Sequence, residues 1–161
     1  AIATRVAVPG ATRLNDVTMD AKGTIYVSDS DTKKVHRIEG TTVTTLLEGL
    51  KGPNGLLAHG ADLYLLDSGT LYQVQADKKL KALAEGMEGG TDGVEPLEGG
   101  GFVVSAWGGV LYHVGADGTK HVLMDTREQK QNSADIAFDP DTKTVYVPTF
   151  FKNTVIAYEL Q

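Results

Sequence analysis

The chain has 161 residues, no cysteine, 15 basic and 21 acidic side chains, and a net charge of −6. That length suits a single domain, 1–161, able to bury a sizeable core. The composition excludes disulfides, thiolate metal sites and thiol nucleophiles, and its acidity argues against a surface that tracks phosphates, so no nucleic-acid partner is expected. No apolar run approaches the ~20 residues of a membrane span, so no membrane partner is expected either.

In chain order, the first predicted element is a strand at 4–8, ended by Pro9-Gly10. Four copies of a longer unit follow. The first copy predicts strands at 17–19, 24–28, 35–38 and 42–47, with a turn at 20–23. The second predicts 56–58, 62–66, 71–74 and 80–84. The third predicts 94–97, 101–105, 110–114 and 120–124, and the fourth 136–138, 144–148 and 154–158. β-branched and aromatic residues between Gly, Asp and Asn clusters motivate each assignment. Tyr26, Tyr64, Phe102 and Tyr146 align in one column, and Val35, Leu71, Leu111 and Val155 in another.

Each copy opens on a polar or small pair and an aliphatic residue: Asn15-Asp16-Val17, Asn54-Gly55-Leu56, Asp92-Gly93-Val94 and Ala134-Asp135-Ile136. The spacing is close to ~40 residues, which is the period of β-propeller blades. The fold expected is therefore all-β, a propeller of four four-stranded blades at about 14–49, 52–86, 90–126 and 132–160. The fourth copy lacks an outer strand. Residues 4–8 resemble the outer strands that precede the other copies, and closure through them would leave no open edge.

The polar pairs are the candidate site. Asn and Asp supply hard oxygens that suit Ca²⁺, Mg²⁺ or Mn²⁺. At one end of successive inner strands, Asn15, Asn54 and Asp92 would converge on the axis. Asp92 or Asp16 would then serve as general base, and Arg13 would hold an anionic or polyhydroxyl substrate. The competing role for such residues is local turn formation through side-chain to backbone hydrogen bonds. Trp107, Phe150 and Phe151 occupy equivalent turns, where they would either wall a pocket or pack between blades. His36, His59, His113 and His121 show no paired zinc spacing, and His36 and His113 are expected to be partly buried. Asp29 and Asp67 follow matching strands and are expected to cap loops. No Gly-x-Ser-x-Gly elbow and no phosphate loop is present.

Arg13-Leu14-Asn15-Asp16, Gly52-Pro53-Asn54-Gly55-Leu56 and Thr91-Asp92-Gly93-Val94, in that order and at blade spacing, resemble the gluconolactonase and regucalcin family of β-propellers. The resemblance covers nearly the whole chain. It implies a six-bladed parent fold, a divalent cation (Ca, Mg, Mn or Zn) in the axial channel, and a lactone or sugar-acid-like substrate. It assigns Asn54 and Asp92 to the metal, and Arg13 and Asn15 to substrate or the metal-bound water; the convergence of the inner strands adds Asn15 to the metal set, and the aromatic turn adds Trp107 to the substrate set. The family's two opening blades, and the glutamate ligand they carry, have no counterpart here. The chain thus reads as the last two-thirds of such a propeller or as a shorter one closed on itself, monomer or homodimer. Its function reads as a metal-dependent lactonase or ester hydrolase, in full or as a binding remnant. The alternatives are a non-catalytic binding or scaffold propeller, and a fragment that closes or oligomerises. The Val147–Phe151 ending resembles exported bacterial members, which implies a periplasmic or secreted placement; the residues themselves leave the compartment open.

Overall fold

A computed structural model describes residues 1–160. Among these residues fifteen strands form four antiparallel sheets in chain order. The first blade holds β1 (Leu14–Met19), β2 (Ile25–Asp29), β3 (Lys34–Glu39) and β4 (Thr42–Glu48). The second holds β5 (Pro53–His59), β6 (Asp62–Asp67), β7 (Thr70–Val74) and β8 (Leu80–Ala84). The third holds β9 (Thr91–Pro96), β10 (Phe102–Ala106), β11 (Val110–Val114) and β12 (Lys120–Asp125). The fourth holds three strands, β13 (Ala137–Asp139), β14 (Thr144–Pro148) and β15 (Val155–Glu159), with a 3₁₀ turn at Phe150–Lys152 before β15. Every sheet is a simple meander, so each blade is local in sequence.

Short acidic turns set the hairpins. Asp20 accepts from the Lys22 and Thr24 N–H groups. Asp77 and Asp117 accept from the Lys79 and Thr119 N–H groups in the turns between the third and fourth strands of the next two blades. This is the local side-chain to backbone bonding that favours Asp in turns. Asp67 caps the entry to β5 by accepting from Lys51 and Gly52. Asp29 does the same for β1, accepting from Thr12 and Arg13.

The core lies between the blades. One cluster (Val35, Leu47, Leu56, Leu65) joins blades one and two. A second, which includes Leu66, Leu71, Val94, Val104 and Tyr112, joins blades two and three. A third (Val103, Leu111, Ile136, Val145, Val147) joins blades three and four. Alternate residues of each strand therefore face opposite neighbours, the period-two rule of a sheet buried on both faces.

Two expectations need correction. The column Tyr26, Tyr64, Phe102, Tyr146 does not lie on one face. Tyr64 looks forward to blade three and Phe102 looks back at it, with ring centroids 4.8 Å apart. Val103, in the cluster that faces blade four, takes the forward position instead. The third hairpin matches the first in length, Pro96 pairing with Phe102 as Met19 pairs with Ile25, so Val103 stands where Tyr26 does and Phe102 one residue away, on the other face. Second, residues 4–8 form no strand and the fourth sheet has three strands, so the chain does not close on itself through its N-terminal segment.

Val27, His36 and Ile38 face away from blade two, across from Val17 and Met19 in the strand register, yet are buried. The N-terminal segment enters β1 through Thr12 and Arg13, both anchored on Asp29, and Val6, Val8 and Ala11 in it are half-buried.

Candidate functional site

The polar pair that heads each copy is a β-bulge. Between Leu14 and Val17 of β1, Asn15 and Asp16 oppose Ser28 alone. Between Pro53 and Leu56 of β5, Asn54 and Gly55 oppose Leu66 alone. In β9, Asp92 and Gly93 oppose Ser105 alone. A bulge adds a residue to one strand and re-aims its side chain. Here it happens three times at the same end of the inner strands, which is why these residues gather at one mouth of the arc.

The bulge residues touch across blade boundaries. Asn54 Nδ2 donates to Asp92 Oδ1 at 2.7 Å. Asp16 accepts from Val17 N at 2.7 Å through Oδ1, and from Leu56 N of the next blade through Oδ2. Asn15 Nδ2 donates to Ser30 Oγ at 3.0 Å, and that hydroxyl donates to the Pro53 carbonyl at 2.7 Å. Gly55 and Gly93 permit this closeness. A Cβ on Gly55 would overlap the Asp92 carbonyl oxygen, and one on Gly93 would overlap the Asp135 carboxylate.

Arg13 lies on the rim, exposed, with Nε 3.1 Å from Asp31 Oδ1. Trp107 stands at the same end as Asp92, because its backbone N–H donates to the Gly90 carbonyl at 2.8 Å. Its ring lies 5.8 Å from Phe150 and 5.9 Å from Phe151, centroid to centroid, both edge-on. All three aromatics are exposed. Phe150 has a φ of 50°, a region that a bulky side chain enters at a cost. The aromatics therefore form a surface cluster rather than part of the packed clusters between blades.

The structure thus brings Asn54 and Asp92 into contact, sets Asp16 within electrostatic range of Asp92, and leaves Asn15 and Arg13 held by separate partners. Two further acids belong to the same region. Asp135 occupies the Asp16 position of the fourth copy, and Glu95 lies on β9 two residues past Gly93. The repeat itself signals Asp135; a lone acid inside the aliphatic inner strand signals Glu95. Burial, then the Asp135 and Asp16 charges, push the Glu95 carboxyl up to about 7. Burial pushes Asp16 up to about 6 against the opposing Leu56 N–H, and Asp135 adds to the rise. Burial also raises Asp92, offset by its Asn54 bond and reinforced by Asp135. Asp135 is raised by burial. The axis is therefore acidic and half-dry. Clefts of about 490 and 530 Å³ also open toward the other end of the strands, the second lined by Glu95 and Phe102.

The Asn54 and Asp92 oxygens fit a hard cation in kind. They fall short in number. Asn15 is turned to Ser30, and among the described residues no three His, Cys, Asp or Glu side chains converge to hold one ion. A cation held by Asn54 and Asp92 would keep most of its shell as water or ligand.

The inter-blade clusters and the ~40-residue meander define the class: a β-propeller arc of four blades. No family model matches the chain, and no curated protein matches it in sequence. Solved structures do match. A catalytically inactive virginiamycin B lyase from Staphylococcus aureus, with quinupristin, superposes at TM-score 0.80 and 12% identity over 97% of this chain and 55% of that one. A provisionally assigned gluconolactonase superposes at 0.72 and 19% identity over 96% and 61%. An auxiliary nutrient binding protein from Bacteroides thetaiotaomicron superposes at 0.73 and 13% identity over 90% and 38%. The chain thus spans less than two-thirds of each of these proteins.

Proposed function

We propose that the bulge end of the arc is a ligand site of the lactonase type, and that Asn54 and Asp92 are its centre. The observation that carries this reading is their 2.7 Å contact across the boundary of blades two and three. It sets an amide and a carboxylate side by side in a half-buried acidic mouth. Such a pair binds vicinal hydroxyls, the amide and carboxylate sharing donors and acceptors with a polyhydroxyl ring. A divalent cation bound there would polarise a lactone carbonyl. Asp92 is the proton acceptor of the site, because burial raises its basicity. Asp16 has both oxygens committed to backbone N–H groups, so its part is to hold blades one and two in register. Arg13 and Asn15 contribute at the rim, and Trp107 offers a flat apolar face to a sugar or lactone ring.

The exposed cluster of Trp107, Phe150 and Phe151 supports a second reading, a binding propeller without turnover. Calorimetric titration with Ca²⁺, Mg²⁺, Mn²⁺ and Zn²⁺, beside hydrolysis of a small aldonolactone, separates the two. The lactonase reading expects millimolar-range cation binding that Asp92→Ala abolishes, and turnover that falls at least tenfold in the same variant. Aldonolactone binding without turnover selects the second reading. Neither heat nor turnover in wild type overturns both.

A further inference from the structure

We propose that His113 and His121 form a site for a transition-metal dication, Cu²⁺, Ni²⁺ or Zn²⁺, in the cleft between blades three and four, separate from the Asn54 and Asp92 pair. The two lie eight residues apart, outside the spacing that pairs histidine ligands along a helix. The β11–β12 hairpin pairs them instead. They are direct cross-strand partners, so both side chains leave the sheet on one face. Their rings are nearly parallel, with an interplanar angle of 15° and centroids 6.4 Å apart. That face looks toward blade four. Leu111, two residues before His113, is buried in the cluster that joins blades three and four, and a strand repeats its facing every second residue. Both rings line a cleft of about 490 Å³ whose far wall carries Phe138, Pro140 and Lys143 of blade four.

The earlier blades show what the repeat otherwise puts there. Leu111 is the counterpart of Val35 and Leu71, so His113 stands where Arg37 and Gln73 do. Their outer-strand partners are Thr44 and Lys81. The matching groove between blades two and three is lined by Gln73 and Lys81. Neither Arg with Thr nor Gln with Lys offers two nitrogen lone pairs at neutral pH, whereas two imidazoles do. Imidazole suits Cu, Ni and Zn, while Ca²⁺ and Mg²⁺ take oxygen. Bonds of about 2.0–2.1 Å at the tetrahedral angle set the two nitrogens about 3.4 Å apart on one ion. Opposed Cβ atoms lie about 4.5–5.5 Å apart, so the rings reach that separation by turning about χ1 and the broad χ2 of histidine. His113 is half-buried and His121 exposed, which leaves the ion a way in. Among the described residues no third His, Cys, Asp or Glu converges on them. The ion therefore keeps open positions toward the cleft, for water or an exchangeable ligand, as a closed structural zinc site does not. Glu98 and Lys143 also line the cleft and offer a carboxylate and an ammonium to a molecule bound there. The site shares no residue with the bulges, so it and the lactonase reading can fail separately.

The test titrates the whole chain with Cu²⁺ and with Zn²⁺ by calorimetry, and reads the Cu²⁺ form by electron paramagnetic resonance. One ion per chain is expected, Cu²⁺ tighter than Zn²⁺, with nitrogen couplings from two imidazoles. Neither histidine belongs to the packed clusters between blades. His113→Ala and His121→Ala are therefore expected to keep their circular dichroism and melting transition. Each is expected to weaken Cu²⁺ binding by at least roughly tenfold, the lower end of what even outer-shell partners of a metal contribute. His121→Gln, at an exposed position, repeats the measurement if His113→Ala loosens the sheet. Asp92→Ala and an excess of Ca²⁺ are expected to leave Cu²⁺ affinity unchanged. Absence of Cu²⁺ and Zn²⁺ binding, binding indifferent to either histidine, coupling to a single imidazole, or loss of the site in Asp92→Ala overturns the proposal.

Discussion

Asp16 accepts a hydrogen bond from the backbone N–H of Leu56, forty residues on and in the next blade. Its other oxygen accepts from Val17 of its own strand. One carboxylate therefore fixes the bulge of β1 and sews blade one to blade two. Asp16→Ala leaves the Leu56 N–H without its partner in a part-buried place, while the Val17 N–H is exposed and can turn to water. An unsatisfied buried group costs ~1–3 kcal/mol, and the variant is expected to lose about that in urea unfolding. A loss below about 0.5 kcal/mol would remove Asp16 from that role.

The same carboxylate gives stability an unusual pH dependence. Asp16 goes from an ordinary 3.8 to about 6 on folding, with burial the main cause. Glu95 goes from 4.5 to about 7 for the same reason, with Asp135 and Asp16 adding to it. A raised acid favours the fold while protonated. The contribution is complete below the unfolded value and is lost as pH rises through the folded one. The window is thus pH 3.8 to about 6 for Asp16 and 4.5 to about 7 for Glu95. Asp29 opposes it at the acid end. Burial raises Asp29, but donors from Thr32, Thr12 and Arg13 outweigh burial and hold it well below the usual range. Its contribution is lost as pH falls below 3.8. The melting temperature is expected to peak between about pH 4 and 5 and to fall toward pH 8. Glu95→Gln is expected to flatten the fall between pH 5 and 7. A melting temperature that climbs steadily to pH 8 would contradict the acidic axis.

Gly55 is a steric requirement of the site. A Cβ there would overlap the Asp92 carbonyl oxygen and crowd Leu66 Cδ1. The obstacle is backbone, so it cannot rotate aside. Gly55→Ala is expected to push β9 off β5, cost more than ~2 kcal/mol, and part Asn54 from Asp92. Amide shifts at Asp92 and Gly93, with weaker cation or lactone binding, would report the separation. Unchanged shifts would mean that blades two and three are not held as close as this.

How much of this was legible in the chain follows from the same bulges. The ~40-residue period and the turn acids locate all four blades, because each blade is a local meander and the repeat aligns its strands. Asn54 and Asp92 are legible as a pair for the same reason. The bulge is not. Two residues opposing one look like an ordinary strand start in sequence, so the inner strands begin three residues earlier than periodicity suggests in the first three copies. Phe102 leaves its column for a related reason: the first-to-second-strand hairpin closes on Pro96 and Phe102 in the third copy but more tightly, on His59 and Asp62, in the second, and the sequence does not show that difference. Residues 4–8 carry the alternation of an outer strand yet pair with no sheet, because pairing needs a partner edge that the local sequence does not specify.

The aromatic cluster offers the most direct readout of ligand. Trp107 is the only tryptophan, is 41% exposed, and touches only surface rings among the aromatics. Its removal leaves the inter-blade clusters intact, so Trp107→Ala is expected to cost no more than about 1 kcal/mol, the scale of exposed aromatic pairs. Its fluorescence is expected to shift when a lactone or polyhydroxyl ring stacks on it. Asp92→Ala, which leaves the indole in place, is expected to raise the concentration needed for that shift. Phe150→Ala removes one wall of the cluster while keeping the Cβ, so the φ of 50° stays as costly as before. It is expected to weaken the same ligand with little change in stability. A ligand whose binding moves neither the Trp107 signal nor its dependence on Phe150 binds elsewhere, and the acidic mouth then acts without an aromatic wall.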